Sequence, residues 1–145
     1  MNKAYAGIIV LAAIALVFSV LIESEKLGSS SATNVCSAIS GSNCKNVQYS
    51  MYGRAFGFDN AYLGIAGFLV LIILAIMQLV KFNTFRFMIL NIGIVFAGLM
   101  AVWFLHLQFN VLHTICSLCI VVDIASLIML VISFFEMWRI KHHNI

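Results

Sequence analysis

Two cysteines separated by two residues are the feature of this chain most able to do chemistry. Cys116 and Cys119 open a long apolar run near the C-terminal end of the sequence. Residues three apart on a helix share one face, so the two thiols could form a short disulfide or remain as neighbouring thiols. The N–H groups and partial positive charge of a helix N-terminus stabilise a thiolate and make it reactive. The pattern predicts a redox-active pair, with Thr114 as the cap of the helix.

The other two cysteines form a second pair. Cys36 and Cys44 are separated by seven residues and lie in the long polar segment of the chain. Such a pair can exchange with Cys116 by thiolate attack through a mixed disulfide. The predicted relay takes electrons from outside thiols to the Cys36/Cys44 pair, then to Cys116 and Cys119. Cys119 lies deeper along the apolar run, so it is the thiol expected to meet an acceptor dissolved in the membrane.

The composition predicts an integral membrane protein with a single domain, 1–145. The chain is 63% hydrophobic and 9% charged, whereas ordinary globular proteins are roughly half apolar and a quarter charged. Long apolar runs predict an all-α protein with four membrane spans and a polar loop at 23–60. The predicted spans are 5–22, 61–80, 87–105 and 115–138. The first run also resembles the apolar core of a signal peptide, but no clear cleavage site follows it, so we interpret it as a retained helix.

The basic residues predict the orientation. Most of them fall at one set of span ends, at Lys3, at the turn 81–86 and in the tail 139–143. The positive-inside rule then places both termini in the cytoplasm and all four cysteines on the extracytoplasmic side. An even number of cysteines on that side is typical of an oxidising compartment. The basic residues form no patch that would predict nucleic-acid binding.

A few other polar and small residues in the spans predict specific contacts. Asp123 lies four residues after Cys119, on the same helix face. An ionisable residue inside a span is a functional candidate: Asp123 could deliver a proton to the reduced acceptor, or only hydrogen-bond a neighbouring helix. An ion pair with Arg139 is sufficient to explain Glu136. Small residues in the third span, at 93, 97 and 98, predict a close helix contact.

Two alternatives assign the cysteines a structural role. Two static disulfides in a non-enzymatic membrane scaffold would also explain an even count. A zinc site would use the C-x-x-C as half of its pattern, but a spacing of seven residues in the other half is not usual for zinc. His106 and His113 could add ligands, although both are more simply interfacial histidines. We therefore expect no metal.

The motifs together resemble the vitamin K epoxide reductase family over nearly the whole chain. Several short motifs occur in the family's order and spacing: Cys36-x7-Cys44, Ser50-x-x-Gly53-Arg54, Phe56-Gly57, Asn60 followed by Gly64, and Cys116-Ser117-Leu118-Cys119. Each motif is weak alone, but this order and spacing are specific. The resemblance implies a four-transmembrane-helix bundle around a quinone, capped by the extracytoplasmic first loop.

The resemblance also implies a role for each cysteine. Cys36 would exchange with a thioredoxin-like extracytoplasmic protein, expected to be a separate chain. Cys44 would pass the electrons to Cys116, and Cys119 would face the quinone and reduce it.

Three further positions take implied roles from the same resemblance. Asn60 would hydrogen-bond a quinone oxygen, and Ser50 would tie the loop to the bundle. Asp123 occupies the position of a tyrosine that helps to hold the quinone in animal members of the family. This difference favours microbial relatives, which reduce plain quinones of the menaquinone, ubiquinone or vitamin K type while oxidising proteins outside the cell.

The predicted function is a membrane thiol oxidase that reduces a quinone and supports disulfide-bond formation. Reduction of vitamin K or its epoxide is one alternative, and a scaffold with structural disulfides is another. A third is the unrelated bacterial quinone reductase that generates disulfides with four helices and two cysteine pairs. In that protein the C-x-x-C opens an earlier helix and the second pair follows it, which is the reverse of the order found here.

Overall fold

Four long helices make up most of the computed structural model. It describes residues 2–28, 30, 34, 37–38, 50–51, 54–55 and 58–143. The helices are α1 (Asn2–Lys26), α2 (Asn60–Val80), α3 (Thr84–His106) and α4 (Ser117–His143), and a π-helical turn, Leu107–Val111, continues α3. Two short strands precede α2: β1 (Arg54–Ala55) pairs antiparallel with β2 (Phe58–Asp59), with Arg54 opposite Asp59.

The prediction of an all-α protein with four membrane-spanning helices is confirmed. All four helices are long and apolar enough to cross a bilayer. Between 22% and 33% of the most apolar stretch of each helix is buried inside the protein. Large side chains such as Val70, Phe96 and Phe134 therefore point outward. An apolar surface of this extent requires lipid rather than water around it.

The helices form a ring in which each helix packs against two antiparallel neighbours. α1 lies between α2 and α4, and α3 completes the ring by contacting the same two helices. The contact between α2 and α3 is much the sparsest of the four interfaces. Ala12, Ala15 and Ala75 are completely buried in the core, where their small side chains allow the helices to approach closely. The ring is therefore tight around α1 and looser between α2 and α3.

Gly93 and Gly98 provide the close contacts predicted for α3, but with two different helices. A Cβ atom on Gly93 would lie 2.9 Å from Leu71 Cδ2 of α2. A Cβ atom on Gly98 would lie 2.9 Å from Leu130 Cδ2 of α4. The two glycines thus hold α3 against both of its neighbours, rather than forming one face for one partner.

Polar side chains organise the end of the bundle where α2 turns into α3. The Asn83 side chain caps α3 by accepting the Phe85 N–H at 2.9 Å. The Gln78 amide donates to the Asn83 carbonyl at 3.0 Å and accepts the Asn83 N–H at 3.2 Å. The predicted ion pair of α4 is also at this end, with Arg139 Nη1 3.3 Å from the Glu136 carboxylate.

The connection between α3 and α4 is shorter than the sequence suggested. The third span was expected to end at Leu105, but the π turn carries the helical chain on to Val111. Only residues 112–116 then separate it from α4. His113 has a φ of 46°, a left-handed conformation that lets the chain reverse within so few residues. The short connection brings the end of α3 directly beside the first turn of α4.

Candidate functional site

Cys116 is the capping residue of α4. Its carbonyl accepts the Ile120 N–H at 3.0 Å, and its Sγ lies 3.4 Å from the Cys119 nitrogen, which donates to it. The sulfur therefore occupies the place of the oxygen that usually caps a helix. The expectation that Thr114 caps α4 is wrong. The helix begins three residues after Thr114, whose hydroxyl donates to the Leu112 carbonyl at 2.9 Å.

The two thiols of this pair have different surroundings. Their sulfur atoms are not joined to each other by a disulfide. Cys116 is 0% exposed and packs with Ile22 of α1 and Leu118. Cys119 is only partly buried and lines a cavity inside the bundle, whereas Cys116 does not line it. A molecule in the cavity would therefore meet Cys119, with Cys116 behind it.

The cavity has a volume of about 660 Å³ and is lined by all four helices. Most of the lining is apolar. The polar lining side chains are grouped toward the end of the bundle that contains Cys116: Ser19, Ser50, Asn60, Gln108, Cys119, Asp123 and Ser126. From there the apolar part of the cavity extends along the helices to Leu74 and Ile89. The cavity thus has a polar end beside the thiols and an apolar remainder.

The cavity also reaches lipid-facing side chains. Leu63 and Val70 of α2, and Ile89 and Phe96 of α3, line the cavity while each remains at least 40% exposed. These residues flank the sparse α2–α3 interface described above. This part of the cavity wall therefore lies at the outer, lipid-facing surface of the bundle, between α2 and α3.

Four of the predicted site residues line this one cavity. Ser50 lies in the segment before α2, and Asn60 is the first residue of α2. Cys119 and Asp123 line the cavity from α4. Cys116 lies immediately behind Cys119. The predicted loop cysteines, Cys36 and Cys44, lie outside the described residues. The relay through them and the anchoring role of Ser50 stay predictions.

Asp123 is held by a residue that the sequence analysis did not single out. The carboxyl group of Asp123 is buried, and its Oδ2 lies 3.3 Å from Gln108 Nε2, which donates to it. Gln108 is itself 2% exposed. The sequence signal was present, because Gln108 is an amide eight residues before Cys116. The polar residues between the third and fourth apolar runs predict only an ordinary connection there.

The described part of the chain contains no group of three or more His, Cys, Asp or Glu side chains arranged to hold a metal ion. His106 pairs through its ring with the Asn110 side chain at 3.0 Å, and His113 is exposed. Neither histidine lines the cavity. The absence of a metal stays a prediction.

Comparison with known proteins identifies the family. The sequence profile of the vitamin K epoxide reductase family matches residues 6–134, most of the chain. The chain belongs to the vitamin K epoxide reductase family. No curated protein matches the chain. Members of this family are membrane helical bundles with oxidoreductase activity. The resemblance recognised in the sequence motifs is therefore confirmed, and it agrees with a bundle in which a C-x-x-C thiol faces an internal cavity.

Proposed function

We propose that this family member is a quinone-dependent thiol–disulfide oxidoreductase that supports disulfide-bond formation. One observation carries the proposal: Cys119 shares a cavity, partly lined by lipid-facing side chains, with Asn60 and Asp123, while its partner Cys116 is fully buried outside the lining. A thiol in such a place reacts with an apolar molecule from the bilayer. Its buried neighbour, three residues earlier in the chain, then supplies the second thiol of the disulfide.

The cavity fits a quinone in both size and chemistry. Ligand pockets are typically about 300–1,000 Å³ and mostly apolar, with a few placed polar groups. This cavity has about 660 Å³, an apolar body and a polar end. The Asn60 amide can donate a hydrogen bond to a quinone oxygen, and a protonated Asp123 can donate to another. The apolar, lipid-facing part of the cavity wall between α2 and α3 suits a hydrocarbon tail.

The proposed chemistry needs no group beyond the two thiols and the acceptor. A quinone accepts two electrons and two protons. Cys116 and Cys119 supply both when their thiols become one disulfide. A partner thiol must then reduce this disulfide again before the next turnover.

We infer that reduction comes from the first loop. Cys116 packs against Ile22, near the end of α1 where the polar segment begins. In the proposed relay Cys44 passes electrons to Cys116, and Cys36 exchanges with a separate thioredoxin-like extracytoplasmic protein. The basic turn at 81–86 lies at the opposite end of the bundle, which supports cytoplasmic termini and extracytoplasmic cysteines.

The experiment replaces each cysteine with alanine in the purified protein and follows quinone reduction in lipid vesicles. The electron donor is either a small dithiol or a reduced thioredoxin-like protein. We expect Cys119→Ala to abolish reduction with both donors. Cys36→Ala and Cys44→Ala should impair the protein donor more than the small dithiol, because only the protein depends on the loop.

Ser133→Ala provides the matched control. Ser133 is buried on α4 but does not line the cavity, and its hydroxyl donates to the Asn91 side chain. This variant should keep quinone reduction. Full activity of Cys119→Ala with a small dithiol would contradict the proposal. A chain that reduces no quinone with either donor would instead favour the scaffold alternative.

A second candidate function is reduction of vitamin K epoxide, because the family carries that name. The same vesicles can be supplied with the epoxide in place of a plain quinone. We expect the plain quinone to be the better substrate, since Asp123 replaces the tyrosine of animal members. Preferential turnover of the epoxide would reverse this order.

A further inference from the structure

The Gln108 side chain hydrogen-bonds both the backbone at the start of the C-x-x-C pair and the buried carboxyl group of Asp123. It lies in the π turn after α3, lines the cavity, and reaches both Cys116 and Asp123 with one side chain. We propose that Gln108 is a positioning residue that orients Asp123 to move a proton between Cys119 and the acceptor. This inference rests on the proposed function, which supplies the acceptor.

The chemistry of the partners determines which way the amide points. The Cys116 backbone nitrogen can only donate, so the Gln108 oxygen must face it, at a distance of 3.1 Å. The amide nitrogen must then face Asp123, and it lies 3.3 Å from Oδ2. An amide turned the other way would place two donors together at Cys116. Gln108 therefore donates to the carboxyl group and accepts from the start of α4.

The backbone around Gln108 is also hydrogen-bonded. Its carbonyl accepts the Thr114 N–H at 3.2 Å, across the reversal between α3 and α4. The preceding residue, Leu107, accepts the Leu112 N–H at 2.8 Å in the wider π turn. Such π turns inside helices occur frequently at functional sites. The turn thus presents Gln108 to α4 in one defined position.

The hydrogen bond gives the Asp123 carboxyl group a direction. Oδ2 accepts from Gln108, which leaves the other carboxyl oxygen for the cavity that Asp123 lines. Cys119 lies one helical turn earlier on the same face, with about 5–6 Å between the Cβ atoms of such residues. Asp123 is therefore a neighbour of the reactive thiol, and both side chains border the space for the acceptor.

Asp123 and Cys119 are the only titratable groups among the described residues that line the cavity. The lining side chains of the other helices are not acids or bases. They include Ser19 and Ile22 of α1, Asn60 and Ala61 of α2, and Phe104 and Gln108 of α3 and its π turn. A proton that leaves Cys119 toward the cavity consequently has Asp123 as its nearest titratable acceptor within the described lining.

The complete step balances without any further reactant. The S–H bonds of Cys116 and Cys119 break, one S–S bond forms, and two electrons and two protons pass to the quinone. Asp123 takes a proton from a thiol and gives one to the acceptor, so it ends in the state in which it began. Gln108 gains and loses nothing; it holds the carboxyl group in place.

The test combines substitutions of Gln108 with Asp123→Asn in a double-mutant cycle. Gln108→Leu should lower kcat for quinone reduction about tenfold, the effect of losing one hydrogen bond to an ionisable group. It should leave KM nearly unchanged. In the Asp123→Asn background the same change should have much less effect, because the carboxyl group that Gln108 orients is already gone. Effects that multiply independently would indicate a merely structural role.

Gln108→Glu separates the two hydrogen bonds of the amide. The introduced carboxyl group can still accept the Cys116 N–H, but it can donate to Asp123 only while it is protonated. We expect activity near that of the native protein at low pH and a loss as pH rises, an additional pH limb that the native protein lacks. An unchanged pH profile would count against the inference.

Gln78→Leu is the matched control, since Gln78 is a buried amide at the opposite end of the bundle, 3% exposed. It should leave kcat and the pH profile of quinone reduction unchanged.

An infrared measurement provides a readout that needs no turnover. The carboxyl stretching band of Asp123 is identified by its loss in Asp123→Asn. It should shift in Gln108→Leu and stay in place in Gln78→Leu. No quinone reduction by the native protein would count against the proposed function. An unmoved band, or independent effects in an active protein, would overturn the role of Gln108 alone.

Discussion

Two buried glutamines at opposite ends of the bundle use the same amide in different ways. Gln78 bonds twice to the backbone of Asn83, five residues away, and closes the turn that leads into α3. Gln108 bonds to a backbone N–H eight residues away and to a carboxyl group 15 residues away on another helix. Gln108 lines the cavity and Gln78 does not.

Buried polar groups with a structural role and those with a functional role differ in their surroundings. At the Gln78 end, buried polar side chains bond either to residues nearby in the sequence or directly to a neighbouring helix. The Ser133 hydroxyl, for example, donates to the Asn91 side chain. At the Gln108 end, polar side chains from every helix converge on an open space. A polar group that completes a turn stabilises the fold, whereas polar groups that share a cavity are available to a ligand.

The largest expected difference concerns the two thiols at the cavity end. A membrane-permeant maleimide should label Cys119 at least about tenfold faster than Cys116, because only the thiolate of an accessible cysteine reacts readily. Cys119 lines the cavity and Cys116 is fully buried. Mass spectrometry of the reduced protein after timed labelling measures both rates. The denatured protein, in which both thiols should react alike, provides the control; equal rates in the folded protein would remove the distinction.

A pair of glycines tests where the bundle is packed and where it is open. Gly98→Ala should lower the free energy of unfolding by about 1–3 kcal/mol, because the new Cβ would lie 2.9 Å from Leu130 Cδ2. Gly67→Ala should be neutral or stabilise by up to about 1 kcal/mol, since no neighbouring atom lies within 4 Å and alanine favours a helix. Denaturant titration in detergent measures both. A Gly67→Ala variant as unstable as Gly98→Ala would contradict an open cavity.

The helix caps give the smallest effects. Asn83→Ala should cost about 1 kcal/mol, because it removes the side chain that caps α3. Thr114→Ala should cost less than about 0.5 kcal/mol, since the sulfur of Cys116 occupies the capping position of α4. The same titration ranks the two variants. A larger loss at Thr114 than at Asn83 would restore Thr114 as the cap.

Much of the fold could be predicted from the sequence because each signal was local. Apolar runs mark the four spans, since every stretch of chain that crosses a bilayer must be long and apolar. The Glu136–Arg139 ion pair follows from a spacing of three residues on one helix. The family could be recognised from short motifs whose order and spacing are read along the chain.

The missed features depend on contacts between distant residues. The π turn after α3 has no reliable sequence signature, so the segment containing Gln108 was interpreted as a simple connection. The cap at Cys116 was missed because the start of α4 depends on the reversal at His113, where φ is 46°. With the helix start moved, the thiol of Cys116 rather than the hydroxyl of Thr114 meets the first free N–H groups.

The amino-acid sequence alone predicts that four helices can cross a membrane and that two thiols share a face at the start of the last one. Both follow from local rules, the length of apolar runs and the period of the helix. The folded chain adds that Cys119 faces the cavity while Cys116 is buried, and that Gln108 connects Cys116 to Asp123. These relations depend on how α3 and α4 pack and on where the chain reverses between them, and no single stretch of sequence encodes that geometry.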